Sequence, residues 1–246
     1  MIKYFTWTGL LVLVSIQWLC AQEAPEEVRE TAGRKAWIVA TTMPEDVANP
    51  LKILSGEKLH EVRVYMRSIG EPVEVDQTGI VRAVKEVMGA DGKMVYENLS
   101  LSIVPEGVRE ALIVLVPKKL GDEGLRFNSK VIDLAKFKEG GCLYVNLVKT
   151  KLGITIGDFK TVVPPGGMEF INPLDDKEKD VLLVSFFYEV PNNEAEKWKL
   201  MTSSKMALYK SRREICVFFY NEAIENVDFR GIPFMTPPPL PQPKQP

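Results

Sequence analysis

From His60 to Arg67 the chain alternates, with Val62, Val64 and Met66 on one side and Glu61, Arg63 and Tyr65 on the other. A repeat of two residues suits an extended strand half-buried against a core, and it lays no apolar stripe along a helix, whose period is 3.6 residues. Related runs occur at Trp37–Ala40, Val73–Val75, Ile80–Val87, Asn98–Val104 and Ala111–Val116, and then at Arg126–Ile132, Cys142–Val148, Gly153–Ile156, Thr161–Val163 and Met168–Ile171. Val181–Val190, Lys199–Met201, Lys205–Tyr209 and Glu214–Tyr220 complete the set. Most are bounded by Gly, Pro, Asp or Asn, with turns expected at Gly157-Asp158 and Pro164–Gly167. Short strands at this spacing predict an all-β fold built as an immunoglobulin-like β-sandwich, in two packed sandwich-like halves.

The charged, glycine-bearing stretch after Pro117 divides the strands into two groups. The expected organisation is a first β domain over 36–117, a linker over 118–125 and a second β domain over 126–235. Val181–Tyr188 and Ile215–Tyr220 are apolar on both faces and are expected to be central strands covered on each side. Helical signals are limited to Glu26–Lys35, Val131–Phe137 and Asn193–Lys197, each too short to stand without tertiary support.

The ends carry different information. Lys3, the apolar stretch Leu10–Leu19 and the small residue Ala21 read as a secretory signal peptide over 1–21, followed by a polar segment over 22–35. Ser15 and Gln17 interrupt the apolar stretch, which falls short of the roughly 20 residues of a membrane-spanning helix, so no permanent membrane anchor is expected. Trp18 and Leu19 stand where a lipidation signal before Cys20 wants a small residue. The expectation is an exported protein, periplasmic or associated with the cell envelope. Residues 236–246 form a proline-rich tail, expected to be an extended or disordered end rather than part of a sheet.

Little in the chain is arranged for catalysis. His60 is the one histidine, which leaves no multi-histidine metal site, and no Gly-x-Ser-x-Gly elbow accompanies it. Gly140-Gly141 and Gly166-Gly167 fit no phosphate-binding pattern and read as turns. A net charge of -2 and a pI near 5.7 give no reason to expect nucleic acid. Asp175, Asp176 and Glu178 are interleaved with Lys177 and Lys179 and read as a solvated turn rather than a calcium loop. We assign no catalytic residue, cofactor or metal. Lys210, Arg212 and Arg213 form a basic hairpin tip, a candidate contact for an anion or a partner; the competing reading is a solvated turn, or an arginine paired internally with Glu214. Cys142 and Cys216 are a candidate disulfide, with two buried free thiols as the alternative. Trp37 and Trp198 read as core residues.

Trp198-Lys-Leu, Arg212–Phe218, Gly231–Phe234 and the Asn146, Gly153 and Gly157 spacing resemble uncharacterised exported β-rich proteins of verrucomicrobial type. The glycine-ended strands are also similar to immunoglobulin-like and pilus-associated sandwich domains. The first resemblance implies no catalytic residues, and the second concerns fold alone. The function expected is a non-enzymatic structural or protein-interaction module of the envelope, with an envelope protein or polysaccharide as partner. The alternative is a carbohydrate-binding or carbohydrate-active sandwich, whose sign would be exposed Trp or Tyr beside paired carboxylates. A third reading, strand exchange or addition during assembly, calls for a long exposed apolar edge strand.

Overall fold

Most of the alternating runs are realised as strands in a computed structural model that describes residues 33–118, 124–137, 140–190 and 197–235, but the His60–Arg67 run is strand only as far as Val62, and Met66 is exposed. The leader at 1–21, the tail at 236–246 and the centre of the 118–125 linker lie outside the described residues, as does most of the helical signal at 193–197. The first eight strands are β1 (Arg34–Ala40), β2 (Leu51–Ser55), β3 (Lys58–Val62), β4 (Val73–Val75), β5 (Ile80–Met88), β6 (Met94–Ile103), β7 (Glu110–Pro117) and β8 (Phe127–Asp133). The next eight are β9 (Cys142–Asn146), β10 (Leu152–Ile156), β11 (Phe159–Val163), β12 (Met168–Ile171), β13 (Lys179–Glu189), β14 (Trp198–Tyr209), β15 (Arg212–Asn221) and β16 (Asn226–Met235). The helical signal near 131–137 shrinks to one 3-10 turn, Leu134–Lys136, capped where Asp133 accepts from the Ala135 N–H at 3.0 Å. Arg34 and Lys35, read as the end of a helical signal, open β1 instead.

Four sheets of four strands result: sheet I (β4-β1-β7-β8), sheet II (β3-β2-β5-β6), sheet III (β12-β9-β15-β16) and sheet IV (β11-β10-β13-β14). Adding eight to every strand of sheets I and II gives sheets III and IV. The strand senses repeat as well: β1 runs parallel to β7 and antiparallel to β4, as β9 does to β15 and β12. Even the irregularities correspond, since the β5–β6 register slips between Ala83 and Val84 and the β13–β14 register between Phe186 and Phe187. The described strands are therefore two copies of one eight-stranded wiring. The best-preserved sequence trace is Leu51-x-Ile53-x2-Gly56-x5-Val62 against Leu152-x-Ile154-x2-Gly157-x5-Val163. Both glycines open two-residue hairpin loops with φ near +57° and +54°, which glycine adopts without a steric penalty.

The all-β, two-sandwich expectation is met. The likeness to immunoglobulin domains extends to sandwich architecture and not to strand order, because the constant-type arrangement sets ABED against CFG. The domain boundary is corrected. Strand β8, assigned from sequence to the second domain, pairs with β7 from Ala111 opposite Asp133 to Pro117 opposite Phe127, and Lys118 N–H donates to Arg126 O at 2.8 Å. The charged glycine-bearing stretch thus falls between two paired strands of the first sandwich, and the halves are joined after β8, past the Leu134–Lys136 turn. Two strands escaped the sequence reading. Strand β2 carries Lys52 and Ser55 among its apolar residues, and β16 carries Gly231 and Pro233, the latter tolerated on a sheet edge.

Three apolar layers hold the sheets in the order II, I, III, IV. Ile38, Ile113 and Leu115 face sheet II, while Val39, Leu112 and Val114 of the same strands face Val145, Ile215 and Val217 of sheet III. Between sheets III and IV, Phe186 meets Phe218 and Phe229 edge-on with centroids 5.0 Å apart, and Tyr144 stands 5.9 Å from Phe186. Strand β15 is covered on both sides as expected. Strand β13 is central within its sheet, but sheet IV is an outer layer, so Val181 and Leu183 point outward.

Candidate functional site

The basic hairpin tip does not assemble as a cationic patch. Strand β15 starts at Arg212, which leaves Lys210 alone in the turn, with its Nζ 3.5 Å from Glu178. Alternation then sends Arg212 and Arg213 to opposite faces. Arg213 is buried: it donates to the carbonyls of Leu134 and Phe137 at 3.4 and 3.2 Å and lies over the Phe234 ring at 4.3 Å. Arg212 pairs with Glu214 and donates to Ala207 O at 3.0 Å. The internal pairing with Glu214 is therefore what forms. Burial pushes the Glu214 carboxyl up, opposed by the Arg212 charge. In the nearby acidic turn, Lys177 donates to Asp180 at 2.7 Å.

Cys142 and Cys216 are both free and buried. They lie on adjacent parallel strands, but Cys142 is level with Glu214 and Cys216 with Tyr144. A lateral step of about 4.8 Å and two residues along the strand, about 6.6 Å, separate their Cα atoms by roughly 8 Å, outside the span a disulfide bridges. Burial pushes the Cys142 thiol up to about 12, and the Cys216 thiol is raised by burial too. His60 sits on the edge strand β3, away from both thiols.

What the sequence reading missed is the outer face of sheet IV. The β13–β14 bulge sets Phe187 opposite Leu200 and Glu189 opposite Trp198, with Gly153 and Val162 continuing the Phe187 row on β10 and β11. Trp198 is not a core residue: 38% of it is exposed, and its ring lies against Gly153, where an added Cβ would stand 3.3 Å from the indole. The missing side chain is what lets the indole settle on the sheet. Val181, Leu183 and Leu200 are 60%, 56% and 53% exposed on the same face. Trp37, by contrast, packs edge-on against Phe234 at 5.3 Å as a core-side residue.

The equivalent corner of sheet II is built differently. By strand and bulge correspondence, Gly153, Glu189 and Trp198 take the places of Lys52, Glu86 and Tyr96. There Lys52 Nζ meets Glu86 at 2.6 Å and Lys85 meets Glu97 at 3.1 Å, so ion pairs flank the corner, with Tyr96 exposed beside them and Leu101 and Ile103 exposed further along. In sheet IV, Glu189 is flanked by Lys151 at 3.6 Å and Lys197 at 3.9 Å, and Trp198 opposite it remains 38% exposed.

Beside this corner, at one end of the two sandwiches, a cleft of about 910 Å³ is lined by Tyr188, Glu189, Lys199 and Tyr220 among others. Lys199 Nζ lies 5.9 Å from the Tyr188 ring centre. No group of three or more metal-ligating side chains occurs among the described residues. Among them, too, no helix is long and apolar enough to cross a membrane. No family model matches the chain, and no curated protein matches it.

Proposed function

We propose that this is an exported, non-enzymatic module of the cell envelope that works by binding, with the outer face of sheet IV as its recognition surface. The observation that carries the reading is the exposed Trp198 resting on Gly153 beside Leu200, with Leu183 and Val181 exposed on the same face beyond the Ser185–Ser203 row. The outer face of an antiparallel sheet is ordinarily polar where it meets water, and large apolar side chains exposed on one such face mark an interaction site. The leader read at 1–21 supports an envelope location.

Site-specific photocross-linking in expressing cells tests it. A benzophenone side chain at Leu183 is expected to give discrete adducts with envelope components, while the same group at Lys85 in the first sandwich gives none. Equal labelling from both positions, or none from Leu183 in a folded protein, sinks the reading.

A further inference from the structure

Resting on sheet IV as the recognition face, we propose that its ligand is a uronate-bearing polysaccharide, with one sugar ring stacked on Trp198 and neighbouring carboxylates held by lysines. Three features converge on that chemistry. The indole is exposed and rests against Gly153, and the electron-rich face of such a ring suits the C–H side of a pyranose ring. The next outward-facing row beyond Phe187 is polar: Thr155, Ser185 and Ser203 lie side by side, with the two serine hydroxyls 2.8 Å apart. Side-chain hydroxyls, each able to donate and to accept, match the hydroxyls of a sugar chain.

Charge supplies the third feature. The whole chain is slightly acidic, yet Lys160 extends the hydroxyl row, Lys205 lies opposite Leu183, and Lys179 follows at the strand end. Among the described residues no carboxylate pairs with any of these three, whereas Glu189 is already shared between two other lysines. An apolar platform bordered by uncommitted ammonium groups complements an anion with an apolar ring face. The first sandwich keeps an exposed aromatic, Tyr96, at the Trp198 position but lacks the polar row: Leu59, Leu54, Arg82 and Leu101 occupy the places of Lys160, Thr155, Ser185 and Ser203.

The test is calorimetric titration of the chain from Gln22 with hexamers of galacturonate and of mannuronate, with cellohexaose as the neutral counterpart. Uronate binding is expected to weaken at least about tenfold in Trp198→Ala, corresponding to about 1.4 kcal/mol. The Lys160→Gln/Lys205→Gln double variant is expected to bind several-fold more weakly with a reduced salt dependence, and Lys85→Gln to bind as the parent does. No binding of either uronate hexamer, binding unchanged in Trp198→Ala, or cellohexaose bound equally well overturns the proposal. If the hexamers fail while Leu183 still cross-links to an envelope protein, the polysaccharide assignment falls and the recognition face stands. If both fail, both readings fall.

Discussion

The two sandwiches share a wiring diagram and differ in what they do with its outer surface. At the bulged corner, the first places Lys52 beside Glu86 and Lys85 beside Glu97; the second places Gly153 under Trp198 and Lys199 beside Tyr188. The same strands and the same slip in register thus support an ion-paired corner in one copy and an aromatic platform in the other. Inner positions differ too. Ala111 faces the first core where Glu214 stands in the second, and Leu115 corresponds to Phe218. The lesson is that backbone pairing sets the positions, while side-chain substitution at fixed positions separates an ion-paired corner from one that seats an indole on a glycine.

The largest expected effect tests whether the halves are energetically one body. Phe218→Ala should destabilise by about 3–5 kcal/mol and the matching Leu115→Ala by about 2–5 kcal/mol, as large-to-small changes in filled cores do. Because sheets I and III share the Val39, Leu112, Val145 and Val217 layer, each variant should shift one common urea transition. Two separate transitions followed by circular dichroism would break the comparison into independent domains.

A smaller loss sharpens it further. Asn146 is fully buried and ties down the turn after β9 by donating to Thr150 O and Val163 O at 2.9 and 3.0 Å and accepting from Val148 N–H at 2.9 Å. Its counterpart in the first sandwich is Ala40. Asn146→Ala should cost about 1–3 kcal/mol in urea titrations, since it leaves buried backbone groups without partners.

Transplanting the first sandwich's lysine gives the next effect. Gly153→Lys should lift the indole from the sheet and abolish the platform while the fold persists, read as red-shifted tryptophan emission with unchanged far-ultraviolet circular dichroism. An unshifted spectrum would mean the glycine is not what seats Trp198.

The smallest effect is a slope. Burial raises the Glu214 pKa above its ordinary 4.5, so the folded state holds more protons than the unfolded state just above that pH. Stability should therefore fall as pH rises through that window and onward to the raised value, the reverse of the behaviour of a salt-bridged surface carboxylate. Glu214→Gln should flatten the slope in urea midpoints measured from about pH 4 to 7. An unchanged slope would assign it to other carboxylates.

Much of the fold was legible because alternation is a local property. The turns at Gly157-Asp158 and Pro164–Gly167 followed from residue type, the latter closed by Gly167 N–H donating to Pro164 O at 2.9 Å. Strand β2 was not legible, because Leu51-Lys-Ile-Leu-Ser offers a weak alternation, whereas its counterpart β10 was recognised from the Gly153–Ile156 run and the glycine turn that follows it. The repeat escaped for the same reason: residues facing equivalent cores need only be apolar, so Ile38 and Tyr144, or Ile113 and Cys216, satisfy one position without resembling each other. The boundary at 118–125 was misplaced because a hairpin and a linker call for the same charged, glycine-bearing composition.

The site was less legible than the fold. Arg212 and Arg213 are neighbours in sequence, and strand alternation alone separates them; the sequence held that information, but only once β15 was known to begin at Arg212. Trp198 was read as core because tryptophan usually is, and its exposure depends on a glycine 45 positions earlier in another strand. The sequence by itself determined that the chain is extended, where most strands begin and end, and which turns glycine must make, since these depend on side-chain alternation and local backbone freedom. Only the tertiary structure decided that β8 belongs with the first half, that sheet IV is an outer layer, and that Trp198 lies on Gly153. Those facts rest on contacts between residues far apart in the chain, which local propensity does not encode.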